Sequence, residues 1–271
     1  MNPDDRKDSA FIPENIYGHA KRLEWITSKL KKDSRIIELG CGTGSMITIP
    51  LAVQGYQVTG IDMDNRSIRF GHDLLRKRAL PESILCRQAL QNLNVQPDVL
   101  IASEVLEHLQ SDELAKMLSV IKDKLRNNGL LLVTVPNGYG WFEFESFLWF
   151  RTGLGWLLER SRIDEAVRWF KSVLFHCSLE EPYPPSTLAD SPHIQRFSCE
   201  SIQRVLAKHG FEVVSVMGSV LFAGPFSNLL FTGIVPVMKI NCLLGQWMPR
   251  WAAGFYVACR PIGPSEKELS S

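Results

Sequence analysis

The sequence predicts an α/β fold of Rossmann-like type, a mostly parallel sheet with helices on both faces. Short apolar runs alternate with segments of helical period between residues 35 and 136, the pattern of strands joined by helical crossovers. A glycine-rich turn over 40–44 follows the first apolar run, and Asp62 ends the second. Ligands of such folds bind at the carboxyl ends of the strands, where both features fall.

Five strands are expected in the first half of the chain, at about 35–40, 57–61, 83–87, 98–102 and 129–135. An amphipathic helix precedes them, because apolar residues recur at helical spacing from Ile16 to Leu30. Asp64 is the expected N-cap of a helix over 65–78. Ser111 and Asp112 start the next helix, and Gly129 ends it.

The alternation stops after Gly138. Residues 139–192 are rich in aromatic side chains and too long for a plain loop. We interpret them as a largely helical lid; it either walls a substrate pocket or only extends the core. A helix over 198–209 and strands at 211–220 and 255–259 complete the pattern.

A second apolar segment lies near the C-terminus. Residues 213–238 carry no charge, and a segment of this length could span a bilayer. Glycines and prolines interrupt it, however. We therefore expect an apolar flap at about 221–251 that contacts a lipid substrate or a membrane surface. Trp247, Arg250 and Trp251 lie either at such an interface or against the sheet.

Composition limits the partners and the compartment. The 271 residues are 45% hydrophobic and 22% charged, with a net charge of +1, so no electrostatic field favours nucleic acid. None of the six cysteines forms a C-x-x-C pair, which argues against a zinc or redox motif. The polar N-terminus lacks a signal peptide. A cytoplasmic protein, with membrane association left open, fits these features.

The glycine turn indicates a nucleotide-like ligand. Glycines at 40, 42 and 44 let the backbone approach a ligand closely, and the turn leads into a helix N-terminus. The spacing differs from the dinucleotide fingerprint G-x-G-x-x-G, and no P-loop lysine follows. Asp62, directly after the second strand, is placed to accept hydrogen bonds from a ribose diol.

A third block follows the fourth expected strand and contains Glu104, Glu107 and His108. Together the three blocks resemble the class I S-adenosylmethionine-dependent methyltransferases, especially the small-molecule group that includes the ubiquinone-biosynthesis O-methyltransferases. The resemblance covers about 35–136 and extends over 193–220. It implies a seven-stranded sheet of order 3-2-1-4-5-7-6 with strand 7 antiparallel, S-adenosylmethionine as cofactor and S-adenosylhomocysteine as product.

The resemblance also implies a set of cofactor residues. Glu38 would support the turn or the amino group of the ligand, and Asp62 would hold its ribose. Gln88 stands where the family often has Asp, although its carbonyl can accept the same hydrogen bond. The full expected set is Glu38, Gly40, Cys41, Gly42, Gly44, Asp62, Met63, Gln88, Ala89 and Ser103.

Catalysis is expected at Glu104, His108 and His193. On a helical turn Glu104 and His108 would share a face. With Glu107 and His193 they would suit a divalent cation that lowers the pKa of an acceptor hydroxyl. The alternatives are a general-base role for a histidine, or a purely structural one.

The resulting organisation is an arm over 1–13, a cofactor-binding core over 14–138, the lid over 139–192, the rest of the core with its flap over 193–262, and a tail over 263–271. The expected function is O- or N-methylation of a small-molecule or lipid-like acceptor. A metal-assisted RNA 2′-O-methyltransferase and a non-catalytic cofactor-binding subunit are the alternatives. The sequence leaves open whether the protein is a monomer or a homodimer.

Overall fold

The computed structural model describes residues 15–175 and 193–263. The expected arm, the end of the expected lid over 176–192 and the tail over 264–271 lie outside these described residues. All the statements below concern the described part of the chain.

One seven-stranded sheet has the order β3-β2-β1-β4-β5-β7-β6. Strands β1 to β5 pair in parallel, whereas β7 is antiparallel to both β5 and β6. The predicted strand order is therefore confirmed. The strands are Arg35–Leu39, Gln57–Asp62, Leu85–Arg87, Val99–Ser103, Leu130–Pro136, Phe211–Gly218 and Gly254–Pro261, numbered β1 to β7 in chain order.

Helices cover both faces of the sheet. Leu118 of one helix and Leu206 of another pack with one apolar cluster, while Ile26 and Leu51 belong to a second cluster. Asp64 accepts from the amides of Arg66 and Ser67, as expected of an N-cap. These helices are α1 His19–Ser28, α2 Thr48–Val53, α3 Asn65–Lys77, α4 Ser111–Lys124 and α8 Cys199–Lys208.

The segment after β5 is helical as far as it is described. It contains α5 Trp141–Ser146, a π-helical turn Phe147–Arg151, α6 Leu154–Arg160 and α7 Ile163–Phe175. The expected flap forms two further helices, α9 Pro225–Phe231 and α10 Val235–Trp247. Helix α9 contacts α5 and α7, so the lid and the flap pack together.

Strand β6 ends at Gly218 rather than near residue 220 as expected. A Cβ at Gly218 would lie 2.1 Å from the carbonyl oxygen of Gly245 in α10. The chain leaves the sheet where this helix crosses the strand closely. Among the described helices, none combines the length and the hydropathy needed to cross a bilayer.

Candidate active site

The glycine turn connects β1 to α2 at the carboxyl edge of the sheet. Gly40, Gly42 and Gly44 have φ values of 66°, 54° and 71°, the left-handed region that glycine adopts without strain. A Cβ at Gly40 would lie 2.6 Å from a methyl group of Val105, whereas a Cβ at Gly42 would meet no atom within 4 Å. Gly40 therefore packs against the turn after β4, and Gly42 faces open space.

Asp62 ties the end of β2 to this turn. Its carboxylate accepts from the amide of Gly42 at 2.7 Å and from the amide of Asp64 at 2.8 Å. The carboxylate is held beside the glycine turn, where the ribose of a nucleotide-like ligand is expected. Its role toward a ribose stays a prediction, and the partners that the structure gives it are backbone amides.

Glu38 supports the turn from beneath. It is buried and accepts a hydrogen bond from the hydroxyl of Thr48 in α2. Burial raises the pKa of Glu38 to about 7, against the lowering effect of that hydrogen bond. Cys41 is half-buried nearby, and burial also raises the pKa of its thiol. Glu38 and Thr48 thus join β1 to α2 across the turn.

The adenine-side candidates lie around β3. Met63 is exposed, and its carbonyl accepts from Arg87 at 3.2 Å. The amide nitrogen of Gln88 donates to the carbonyl of Asn92 at 2.7 Å, which leaves the side-chain oxygen as an acceptor. Ala89 precedes a 3₁₀ turn over 90–92. The backbone amide of Gln88 donates to the carbonyl of Asp62 at 3.1 Å, which joins the end of β3 to the end of β2.

A polar chain crosses the turn after β4. The hydroxyls of Ser103 and Thr134 are 2.8 Å apart, and Thr134 donates to the carboxylate of Glu104 at 2.9 Å. Arg22, on α1, lies 3.4 Å from the same carboxylate. Neither Arg22 nor Thr134 was predicted from the sequence. Thr134 could have been found as a polar residue within the apolar run of β5, whereas no sequence feature distinguishes Arg22 from the other charged residues of α1.

Glu104 does not share a helical face with His108, contrary to the sequence-based expectation. Glu104 has a φ of 55°, and the short 3₁₀ helix that follows starts only at Leu106. Its carboxylate contacts Thr134 and Arg22, and it is not one of the three side chains whose ligand atoms come together. The i, i+4 argument fails because the chain turns sharply before it becomes helical.

Glu107, His108 and His193 do come together. One ligand atom from each lies within 4.8 Å of the others, and the two imidazole rings are 5.2 Å apart. The amides of Ile194 and Gln195 donate to the backbone carbonyl of Glu107 at 2.8 and 2.9 Å. These two hydrogen bonds hold the segment that follows the lid against Glu107, which places His193 beside His108.

Glu107 is an unusual member of this cluster. Its side chain is fully buried, and neither carboxylate oxygen has a hydrogen-bond partner in the described structure. Burial and the neighbouring charge of Glu104 raise its pKa to about 9. One carboxylate oxygen lies 3.9 Å from Nε2 of His108. A buried carboxylate without a hydrogen bond is costly, and a cation held with the two imidazoles would satisfy it. The donor set therefore fits a divalent metal ion.

A separate cavity of about 370 Å³ lies between the lid and α9. Its lining includes none of the expected cofactor or catalytic residues. It mixes aromatic, charged and amide side chains: Trp149, Glu159, Asp164, Arg168, Lys171, Pro225, Asn228, Leu229 and Thr232.

Comparison with curated proteins finds partial relatives of diverse activity. The ubiquinone biosynthesis O-methyltransferase of Rickettsia prowazekii is 28% identical over 124 residues, 43% of this chain and 48% of that protein. A sphingolipid C9-methyltransferase of Emericella nidulans is 26% identical over 44% of this chain and 24% of that protein. A ribosomal protein L11 methyltransferase of Shewanella denitrificans is 29% identical over 41% and 37%. The chain thus spans less than half the length of these relatives.

Solved structures share the whole fold. An S-adenosylmethionine-dependent methyltransferase from Clostridium acetobutylicum superimposes with a TM-score of 0.53 at 13% identity, covering 90% of this chain and 92% of that one. A glycopeptide N-methyltransferase complexed with S-adenosylmethionine gives 0.53 at 12% identity, covering 91% and 88%. The family model described as a methyltransferase domain matches residues 16–216. The chain belongs to this methyltransferase domain family and has the fold of the S-adenosylmethionine-dependent methyltransferases.

Proposed function

We propose that this protein transfers the methyl group of S-adenosylmethionine to an oxygen or nitrogen atom of a small-molecule or lipid-like acceptor. The observation that carries the proposal is the bare turn at Gly40, Gly42 and Gly44 beside the carboxylate of Asp62. A side chain at Gly42 would occupy space that is open in the structure. The turn lies where β1 meets β4, the reversal point in strand order at which such sheets bind ligands.

The residues around the turn fit the cofactor. Gly42 and Gly44 would face its methionine part, with Cys41 between them, while Glu38 holds the turn in shape through Thr48. Asp62 would exchange a backbone amide for the ribose hydroxyls. Met63, Gln88 and Ala89 would lie on the adenine side, and Ser103 at the edge of the site nearest Glu104.

Methyl transfer from a sulfonium is an in-line displacement. The carbon–sulfur bond breaks as the bond to the acceptor atom forms, the sulfonium charge is neutralised, and the acceptor gives its proton to a base. The protein has to orient the two molecules and exclude water. When no cation is bound, we assign the proton to His108 or His193; a histidine that ligates a metal has no free lone pair to accept it. Glu104, fixed by Thr134 and Arg22, would position the turn on which His108 lies.

A divalent cation would be held by Glu107, His108 and His193. Bound there, it would supply a positive charge that lowers the pKa of an acceptor hydroxyl. The support for it is the buried carboxylate of Glu107, which has no hydrogen bond in the described structure and lies within reach of two imidazoles. In this arrangement O-methylation is favoured over N-methylation.

The acceptor is proposed to be apolar. The relatives named above include enzymes of ubiquinone and sphingolipid metabolism, and the aromatic helices α5 to α7 follow β5 at the ligand-binding edge. A lid over 139–192 that walls the acceptor site is part of this proposal. RNA is disfavoured, because a net charge of +1 provides no basic surface for phosphates.

Two alanine variants test the cofactor site directly. Gly42 and Gly55 both have positive φ, and a Cβ at either meets nothing within 4 Å; Gly55 is exposed in the turn before β2. Each change to alanine should destabilise the free protein similarly, by roughly 1–2 kcal/mol. We expect S-adenosylmethionine to raise the melting temperature of the wild type and of Gly55→Ala, but not of Gly42→Ala.

The same pair of variants tests turnover. With methyl-labelled S-adenosylmethionine, label should enter an organic-extractable lipid fraction with the wild type and Gly55→Ala only. Label in RNA instead would replace the proposed acceptor with the RNA alternative. Cofactor binding without transfer to either fraction would favour the non-catalytic subunit, and an unchanged melt of the wild type would refute the proposal.

A further inference from the structure

Three helices of the lid and flap are inverted: they bury polar side chains and expose apolar ones. In α5, Glu145 is 4% exposed and Phe144 is 52% exposed; in α7, Lys171 is 5% exposed and Trp169 is 66% exposed. Helix α10 likewise buries Asn241 and exposes Ile240, Leu243 and Trp247, although it also buries Met238. Helices on the surface of a soluble protein normally show the opposite arrangement.

The buried polar groups are well satisfied, so the inversion is built into the fold. The carboxylate of Glu145 accepts from the amide of Ser227 at 2.8 Å and from the ring nitrogen of Trp141 at 2.6 Å. The ammonium of Lys171 donates to the carbonyls of Leu229 and Thr232 at 2.6 and 2.9 Å. These contacts bind the two ends of α9 to the lid.

The buried side chain of Asn241 is also hydrogen-bonded, in this case to the backbone of the flap itself. Its side-chain oxygen accepts from the amides of Leu221 and Phe222 at 3.1 and 2.7 Å, and its nitrogen donates to the carbonyl of Phe222 at 2.7 Å. With these polar residues engaged inside, the outward faces of the helices are largely apolar, although α7 also exposes Arg168 and α10 exposes Lys239.

The outward faces have helical order. In α10 the exposed residues Pro236, Ile240, Leu243 and Trp247 follow one another at spacings of four, three and four, which places them on one stripe. Most of the large apolar side chains that are at least half exposed in the described structure belong to α5, α6, α7 and α10 or to the ends of these helices. We call them the outward apolar surface: Phe144, Phe147, Phe150, Trp156, Leu157, Trp169, Phe170, Val173, Leu174, Val235, Ile240, Leu243, Trp247 and Trp251.

In the flap, the charges beside this surface are basic, whereas α6 and α7 carry the acidic residues Glu159 and Glu165 as well as arginines. Lys239 and Arg250 are the only charged residues between 221 and 251, and Arg250 lies between the exposed Trp247 and Trp251. In the lid, the guanidinium of Arg160 is 5.5 Å from the ring centre of Trp156. Tryptophan beside arginine or lysine is typical of the boundary between acyl chains and headgroups, and cations there favour anionic lipids.

We propose that the outward apolar surface docks this protein onto a lipid bilayer that contains anionic headgroups. The apolar faces of α5 to α7 and α10 enter the boundary between headgroups and acyl chains, and Lys239 and Arg250 contact the headgroups. The helices lie in the membrane plane, since none of those described could cross it. If the lid also walls the acceptor site, an extension that rests on the proposed function, the acceptor enters from the bilayer.

Vesicle cosedimentation of the full chain tests the proposal without any acceptor or cofactor. The probes are vesicles of phosphatidylcholine alone and of phosphatidylcholine mixed with phosphatidylglycerol. We expect the wild type to bind the mixed vesicles more strongly. The double variants Trp247→Ala/Trp251→Ala and Trp156→Ala/Trp169→Ala should each lower binding to both by about tenfold or more. Lys239→Ala/Arg250→Ala should remove only the preference for the mixed vesicles.

Phe70→Ala is the matched control, because Phe70 is an exposed aromatic residue on α3, outside the outward apolar surface; it should bind vesicles as the wild type does. The proposal is overturned if the wild type stays in the supernatant with both vesicles, or if Phe70→Ala loses as much binding as the tryptophan variants. A lipid-free dimer that dissociates in these variants, without vesicle binding, would make the surface a self-association interface instead. The melting shift with S-adenosylmethionine is read separately and reports only on the cofactor site.

Discussion

At the scale of single residues, the site combines glycines that create space with carboxylates that the fold has buried. Gly60 illustrates how tightly the two are fitted, since a Cβ there would lie 2.6 Å from the hydroxyl of Thr48 and 2.8 Å from Cys41. The same hydroxyl donates to Glu38. Because Gly60 has no side chain, the glycine turn and α2 can pack closely over Glu38.

Glu38 should make the stability of the protein depend on pH. Its pKa is raised by burial to about 7, so the folded state holds the proton more tightly than the unfolded state. The part of the stability that depends on Glu38 is then greatest below the usual pKa of a glutamate, and it is lost as the pH rises to about 7. The Glu38→Gln variant stays neutral at every pH. Between pH 5 and pH 8 its free energy of unfolding should therefore fall less than that of the wild type, by on the order of 3 kcal/mol. Chemical unfolding at pH 5 and pH 8 measures the difference.

Glu24→Gln provides the comparison for this experiment, because Glu24 is an exposed carboxyl on α1. Its unfolding curve should follow that of the wild type at both values of pH. An offset between wild type and Glu38→Gln that is equal at pH 5 and pH 8 would contradict the account of Glu38.

At the scale of the elements, α9 is held by charges from its neighbours. A carboxylate near the N-terminus of a helix and an ammonium near its C-terminus both interact favourably with the helix dipole. Glu145 of α5 and Lys171 of α7 occupy these two positions on α9. One short helix thereby joins the lid to the flap, which explains why the two segments pack as a unit.

Removing Glu145 should loosen α9. Glu145→Ala leaves the amide of Ser227 and the ring nitrogen of Trp141 without their acceptor, a loss of roughly 1–3 kcal/mol for each buried group left unsatisfied. Hydrogen exchange over 225–231 should become faster. Glu143→Ala changes a carboxylate of the same helix that none of these bonds involves and should leave exchange unchanged. Equal exchange rates over 225–231 in the two variants would show that the hydrogen bonds of Glu145 are not needed to hold α9.

Elements differ in how far the sequence could predict them. The parallel strands and their helices follow from local signals, namely apolar runs such as that around Leu132 and helix caps such as Asp64. The reversal at Glu104 has no such signal, because its left-handed φ depends on Thr134 and Arg22, which are distant in sequence. Aromatic content indicated a helical lid but not its inversion, since the partners of Glu145 and Lys171 lie in another segment.

At the scale of the whole molecule, the lid leaves the core after β5 and the chain returns at His193, beside the candidate catalytic residues. The amides of Ile194 and Gln195 bind the carbonyl of Glu107 at this return point. The side chain of Gln195 also donates to the carbonyl of Leu109 at 3.1 Å. Glu107, His108 and His193 therefore join the first half of the sheet to the C-terminal part of the core.

A divalent cation at this junction should stabilise the entire fold. An ion that binds only the folded state at 100 times its Kd contributes about 2.7 kcal/mol, roughly 5–10 °C in melting temperature for a chain of this size. We expect Mn²⁺ or Mg²⁺ to raise the melting temperature of the wild type, and Glu107→Gln or His193→Ala to abolish the rise. Asp112→Asn, an exposed carboxylate at the start of α4, should retain it. The metal assignment fails if the wild type does not respond to Mn²⁺, Mg²⁺ or Zn²⁺, or if Glu107→Gln responds as the wild type does.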